Sequence, residues 1–358
     1  MGTKSEHLGG SLAASVKSGG TSKSRLLTLI GYGLSVICLV WVFRDFHLRK
    51  TIDEFRNVSW KWVALGMTFD VISYVVQALR WKFLLTPFRK VHFLNTVRAI
   101  FAGLFANLTF PLRPGEVLRS YLVSNWEGIT IGKVLGSMGV ERLIDLVVAT
   151  ASLSVASLFV ELPKRFKSIA DGLGIAGLVL LTILIAIIFY LEIKLGDPSK
   201  FEADSRKRGS HLPSRWMRAL IGLHAMGTSP SFYAAVLTSI LMPFCQVLAI
   251  WSLMKAYGLP LSFLSAVVVL LVINLGISLP NAPANVGAYQ FFCVLGLSVF
   301  SIEKATATGF SIFAFLALTL PFVFLGFGAM LQSGLSVRHM RDELVRLPSE
   351  AEKRPAQA

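Results

Sequence analysis

Long apolar runs near residues 26–43, 63–79, 93–112, 143–160, 173–191, 232–253, 263–280, 286–300 and 305–331 constrain this chain more than any other feature. Most approach the roughly 20 residues a helix needs to cross a bilayer. In lipid, backbone groups are paired only within a helix or around a closed barrel, and barrel strands would show as short alternating segments. The runs are too long for that, so the expected fold is all-α and polytopic. With 54% hydrophobic and 15% charged residues over 358 positions, the composition excludes an ordinary soluble domain.

Residues 1–25, rich in Gly, Ser and Lys, read as a disordered basic tail, and 336–358 as a second basic tail, on the cytoplasmic side. The Leu26–Phe43 run leads straight into Arg44-Asp45 without a small-residue cleavage site, so it reads as a first anchor. Cys38, Cys245 and Cys293 all lie in apolar runs and read as packing residues. The net charge of +15 needs no nucleic acid to explain it. Basic residues gather in the N-terminal tail, the 80–92 loop, the 196–230 loop and the C-terminal tail, as the positive-inside bias expects of cytoplasmic segments. These basic loops are suited to an anionic lipid surface.

Simple alternation cannot put all four segments on one side. Nine crossings separate the two tails, and a span at 93–112 moves the 196–230 loop outside. Both conflicts vanish if 93–140 is a re-entrant hairpin entered from the cytoplasm and 262–300 another entered from outside. About six full spans remain within a membrane domain over 26–335, and the termini are cytoplasmic. Span 63–79, hairpin and span 143–160 then match span 232–253, hairpin and span 305–331 in inverted orientation. The scheme leaves Arg44, Arg49, Lys50 and Arg56 outside, offset in part by Asp45, Asp53 and Glu54.

Each hairpin contains a break rich in Pro and Gly. The first carries Asn107, Pro111, Arg113, Pro114, Gly115 and Glu116; the second carries Pro280, Asn281, Pro283, Asn285, Gly287 and Gln290. Interrupted segments at matching places in two halves point to a midplane transport site, because broken helix ends offer unpaired backbone groups to a ligand. A helix beginning near Pro114 would put Glu116 and Arg119 on one face, where they could pair and leave Arg113 for a phosphate. Arg113 and Arg119 could equally snorkel to cytoplasmic head groups. Glu141, Arg142 and Asp145 enter an apolar run and could form a salt-bridged triad, with Glu141 or Asp145 reaching Arg113 or Arg119 across the hairpin. Such pairs serve proton coupling or a structural clamp, and Asp70 faces the same choice. Arg80-Trp81-Lys82 reads as an ordinary interfacial anchor. The second break is polar but uncharged: its Asn and Gln residues contact neutral head-group oxygens or pair broken backbone.

The stretch Asn107-Leu-Thr-Phe-Pro111-Leu-Arg113-Pro-Gly115-Glu116-Val-Leu-Arg119, followed by Val140-Glu141-Arg142-Leu-Ile-Asp145, resembles the lysylphosphatidylglycerol synthase transmembrane-region family, also described as flippase-like. Pro280-Asn-Ala-Pro283-Ala-Asn-Val-Gly287-Ala-Tyr-Gln290 is similar to its second signature, with Ala284-Asn285 in place of a Gly-Gly pair and Gln290 in place of a Glu. The resemblance covers roughly residues 26–335 and implies a bacterial or archaeal inner-membrane protein that moves a lipid or lipid-linked head group between leaflets, using no cofactor. No segment is large enough for aminoacyl transfer, so the chain reads as the membrane part alone.

Enzyme readings lack support from motifs, since there is no zinc-ligand spacing, nucleophile elbow or P-loop. The best enzymatic rival is a membrane glycosyltransferase using a polyprenyl-linked sugar, with Asp53-Glu54 as its acidic pair. A third reading makes the chain a membrane partner of a lipid-modifying enzyme. Neither the lipid nor the oligomeric state is written in the sequence.

Overall fold

The computed structural model describes residues 29–44, 53–110, 113–160, 230–278 and 282–333, with scattered positions between 163 and 186. Pro111, Pro280, Asn281, the 196–229 loop and both tails lie outside the described residues. The regular helices are α1 (Leu29–Phe43), α2 (Trp60–Leu85), α3 (Phe93–Thr109), α4 (Gly115–Glu127) and α5 (Ile131–Phe159) in the first half. The second half holds α6 (Pro230–Ala256), α7 (Phe263–Ile277), α8 (Ala288–Ser298) and α9 (Lys304–Gln332). The chain is an all-α polytopic membrane protein. Helices α2, α5, α6 and α9 are long and apolar enough to cross a bilayer; α1, α3 and α7 are apolar but shorter.

Burial runs opposite to that of a water-soluble bundle. Leu146 and Leu158 of α5, Leu237 and Ile240 of α6, and Leu320 and Phe324 of α9 face outward, while Arg80, Thr96, Ser137, Glu141, Ser252 and Ser311 are buried. An apolar exterior around polar groups is the distribution expected when the surrounding solvent is lipid. Cys38, Cys245 and Cys293 are buried and unbridged.

Helices α2 and α6 pack side by side and antiparallel. The Ser59 N–H donates to the Ala256 carbonyl at 3.1 Å, Trp62 meets Trp251 edge to face at 5.8 Å, Gly66 lies against Ala249 and Leu253, and Arg80 approaches Ser239. Contacts thus climb one helix while descending the other. Because α3 follows the end of α2 and α7 follows the end of α6, the two helix pairs α3–α4 and α7–α8 start from opposite ends of this central pair.

Each of those pairs is a hairpin. At the base of the first, the Glu127 carboxylate accepts from Asn95 Nδ2 at 2.7 Å and from the His92 N–H at 3.1 Å. Near its tip, Gly103 and Gly115 bring α3 and α4 into contact so close that a Cβ on Gly115 would overlap the Gly103 carbonyl. Phe110 is extended at φ −116° and ψ 146°, as a residue preceding proline must be, and this ends α3. Gly128, left-handed at φ +62°, ends α4. The second hairpin closes through Gly276 against Phe292 and Gly296 against Val269.

Helix lengths recur in order, 26, 17, 13 and 29 residues against 27, 15, 11 and 29. Contacts recur as well: α3 packs on α9, and α7 packs on α5. The first hairpin is shorter than the expected 93–140, closing at Glu127, with α5 starting at Ile131. Glu141, Arg142 and Asp145 therefore lie inside a long helix and not at its mouth. The second pair runs from Phe263 to Ser298.

Replacing Gly115 by Ala forces α3 from α4 at the tip and lowers the thermal midpoint in detergent, at a cost of about 1–3 kcal/mol. Gly136→Ala serves as the control, because nothing lies within 4 Å of the added methyl, and the midpoint stays unchanged.

Candidate functional site

The two hairpin tips, started from opposite ends, meet. Arg113 Nη2 donates to Asn285 Oδ1 at 2.8 Å, and its Nε reaches the same oxygen at 3.3 Å. Both residues sit in the left-handed region, Arg113 at φ +53° and Asn285 at φ +59°, with Ala284 at φ +56°. Non-glycine residues held there cost of order 1–3 kcal/mol each, and such conformations cluster at ligand clamps. Two of the other predicted polar groups pair with backbone. Asn107 Oδ1 accepts from the Gly115 N–H at 2.8 Å, and Gln290 Oε1 accepts from the Gly287 N–H at 2.7 Å. Each caps the helix that follows its break, so the Asn and Gln side chains partly restore hydrogen bonds that the breaks removed. Helix α1 closes over the second tip, where Ser35 Oγ accepts from the Ala282 N–H at 2.9 Å. Pro114 stands at the N-cap of α4 and Pro283 opens a single 3-10 turn, Pro283–Asn285.

Behind the tips lies an ion network. Glu141, fully buried, accepts from Arg80 Nη2 at 2.6 Å, Gln77 Nε2 at 2.8 Å and Arg119 Nη2 at 3.2 Å. Arg80 also bonds Asp145, and Arg142 pairs with Glu116 and lies 3.8 Å from Asp145. The Arg119 guanidinium stands over the Trp81 ring at 5.0 Å, and Trp81 Nε1 donates to Ser137 Oγ at 3.1 Å. Of the pairings expected between Glu141 or Asp145 and Arg113 or Arg119, the structure contains Arg119–Glu141, and the Arg142–Asp145 contact is also present. The expected Glu116–Arg119 pair is not: Arg142 from α5 takes Glu116 instead, because the long helix brings it alongside α4.

Arg80 is the residue that sequence reasoning missed. It is no interfacial anchor but a fully buried guanidinium at the centre of the network. A signal was present: Asp70, Ser73, Gln77 and Arg80 recur at helical spacing, a polar stripe along one face of an apolar helix, and all four are buried.

After these pairings, two charged groups near the tips form no salt bridge among the described residues: Arg113, whose hydrogen bonds go to the neutral Asn285 while the Glu116 carboxylate lies within electrostatic reach, and Asp70. Tyr74, one turn from Asp70, is within electrostatic reach of Asp70, Arg113 and Arg142. Asp70 thus faces the protein interior, on the tip side of the ion network.

The acidic pair Asp53-Glu54 is split. Glu54 accepts from the Tyr257 hydroxyl at 2.6 Å and from Thr306 Oγ1 at 3.1 Å, while Asp53 points outward, 3.9 Å from Arg56. Burial and the Glu54 carboxylate together push the Tyr257 phenol above its ordinary range.

A lipid-facing bundle with two broken hairpins meeting over buried arginines defines a polytopic membrane protein with a polar interior site. The profile of the lysylphosphatidylglycerol synthase transmembrane region matches residues 28–326, and the chain belongs to that family. It is 24% identical over 327 residues to the UPF0104 membrane protein MJ1595 of Methanocaldococcus jannaschii, covering 87% of this chain and 95% of that protein. A shorter stretch of 125 residues, 34% of this chain, is 27% identical to the glycosyltransferase AglD of Haloferax volcanii, of which it spans 20%. No solved structure matches the chain.

Neutralising Glu141 as Glu141→Gln leaves Arg119 with an uncharged partner and Arg80 with Asp145 alone in an apolar interior, and stability falls by about 3–5 kcal/mol. Asp53→Asn, at an exposed pair, leaves the thermal midpoint in detergent where it was.

Proposed function

We propose that this chain carries an anionic lipid head group between leaflets, with the meeting point of the hairpin tips as its midplane site and Arg113 as the group that holds the phosphate. The observation that carries the reading is the tip contact itself: an arginine on strained backbone whose described hydrogen bonds go to a neutral amide. A guanidinium binds two phosphate oxygens in one plane and stays charged where solvation is poor. The N-terminus of α4, beginning just after Arg113, adds partial positive charge beside it. Full-length relatedness to a membrane protein, and the match over nearly the whole membrane domain, support the reading.

On this reading the hairpins are re-entrant and the halves are inverted repeats. The first hairpin opens to the cytoplasm with both tails, the second to the outside, in the cytoplasmic membrane of a bacterium or archaeon. The glycosyltransferase alternative is disfavoured because Glu54, half of its acidic pair, is engaged with Tyr257 and Thr306.

Purified protein in vesicles is expected to move labelled anionic phospholipid between leaflets. Arg113→Gln slows that movement by roughly tenfold or more, the loss expected of a charge-assisted hydrogen bond, and Arg113→Lys is intermediate. Unchanged movement in Arg113→Gln would remove Arg113 from the site. Transfer seen only when a lipid-modifying enzyme is added would assign a partner role instead.

Topology has its own test. Lys90 and Pro260, both exposed, stand at opposite ends of the α2–α6 pair. Single cysteines from Lys90→Cys and Pro260→Cys, with the three native cysteines replaced, label from opposite sides of the membrane. Labelling of both from one side contradicts the inverted arrangement.

A further inference from the structure

Outside the ion network and the hairpin tips, the structure holds a cavity at the end of α2, where the chain turns into the first hairpin. Its volume is about 280 Å³, and it is lined by Lys82, Thr86, Lys90, Val91 and His92. Small-molecule sites run from roughly 300 Å³ upward, so this one suits a compact group. Lys82, half-buried in the last turn of α2, and Lys90, exposed on the loop that follows, form no salt bridge among the described residues. Thr86 Oγ1 donates to the Lys82 carbonyl at 2.8 Å and fixes the helix end between them. His92 Nδ1 lies 3.4 Å from Glu127 Oε2, while its side chain is largely exposed and its Nε2 bonds no described residue. Glu127 itself is buried and already accepts from the His92 N–H and from Asn95 Nδ2. The loop adds further positive charge, since Arg89 lies against Gly128 and Lys133 Nζ stands 5.4 Å from the Phe88 ring. Ammonium groups gathered without a counter-charge repel one another, and a bound anion relieves that repulsion.

We propose that this cavity binds a doubly charged phosphate group, a phosphomonoester or a pyrophosphate, at a site separate from Arg113 and independent of the transport reading. Two ammonium groups and an imidazole nitrogen supply donors to several phosphate oxygens. Lysine is a compact point charge on a flexible stem, which matches a small, highly charged anion. A phosphodiester brings one negative charge against the two lysines, whereas a phosphomonoester carries about 1.5 to 2 at neutral pH. Such a group reaches the end of a span either on a lipid or from water, and the chemistry of the cavity is the same for both. Its occupant joins the last turn of α2 to the loop before α3 and, through His92, to the Glu127 carboxylate that closes the base of the first hairpin.

Isothermal titration calorimetry on the purified full chain, in an uncharged detergent at fixed ionic strength, tests the site with three probes: pyrophosphate, short-chain phosphatidic acid and short-chain phosphatidylmethanol. The expected result is saturable binding of pyrophosphate, of phosphatidic acid or of both, tighter than that of the phosphodiester phosphatidylmethanol by about fivefold or more. Lys82→Gln and Lys90→Gln each weaken it by roughly tenfold, the worth of one charge-assisted hydrogen bond, and Lys90→Arg retains most of it. Lys61→Gln, exposed near the opposite end of α2, and Arg113→Gln leave it unchanged. Should Lys82→Gln not fold, Lys90→Gln, on the exposed loop, carries the test. Binding of pyrophosphate alone assigns a soluble phosphate to the site, and binding of phosphatidic acid alone a lipid-borne one. Saturable binding of neither, or binding of phosphatidylmethanol as tight as that of phosphatidic acid, overturns the proposal. An affinity lowered as much by Lys61→Gln as by Lys90→Gln overturns it by showing diffuse surface charge, and loss in Arg113→Gln does so by placing the anion at the hairpin tips.

Discussion

The Glu141 carboxylate holds together three segments that sequence places far apart. From the middle of α5 it accepts from Arg80 and Gln77 on α2 and from Arg119 on α4, so one side chain links a span, the returning arm of a hairpin and the span that follows. In an apolar interior this arrangement is all or nothing. Two guanidinium groups without the carboxylate, or the carboxylate without them, would each carry a desolvation cost of several kcal/mol. This pairing therefore selects one register of α4 against α5, and that register points the residues before α4, Arg113 among them, toward the second hairpin.

Meeting of the tips follows from the antiparallel α2–α6 pair. Helices that follow opposite ends of one core pair approach each other from opposite directions. What they present where they meet is unequal: an arginine on one side, an asparagine amide on the other, each on left-handed backbone that the surrounding contacts must hold in place. Gln290 and Asn107, which cap the adjoining helices, supply part of that support.

Much of this was legible in the sequence. Pro and Gly within apolar runs located both breaks, because in lipid a residue that interrupts backbone pairing must be compensated by the fold around it. That Glu141 or Asp145 would pair with Arg113 or Arg119 followed from the cost of leaving such charges alone, and packing selected Arg119 with Glu141. Arg80 was hidden by its own effect on hydropathy: it ends the apolar run at residue 79, although α2 continues to Leu85 with Trp81, Leu84 and Leu85 all buried. The Glu116–Arg142 pair was hidden for another reason. Spacing within one helix suggests local partners, and only the packing of α5 along α4 reveals that the better partner comes from the neighbouring helix. Nor did the acidic pair Asp53-Glu54, just before α2, disclose that one member would be drawn inward by a tyrosine from the far half of the chain.

Counted from the helix starts, Arg80 of α2 corresponds to Ile250 of α6, and Glu141 of α5 to Ala314 of α9. Both counterparts are buried in the apolar core around Phe310 and Leu253. The second half thus seats its hairpin between equivalent helices without ionic contacts at these positions, by apolar packing and the close approaches at Gly276 and Gly296. Since a well-packed apolar cluster is commonly as stable as a buried ion network or more so, stability alone does not account for charges in the first half. Their distribution does. Three arginines are matched by Glu116, Glu141 and Asp145, and the fourth, Arg113, is left at the tip with a neutral partner. Glu116, within electrostatic reach of Arg113, is itself paired with Arg142, so the guanidinium at the place where the two hairpins touch hydrogen-bonds a neutral amide.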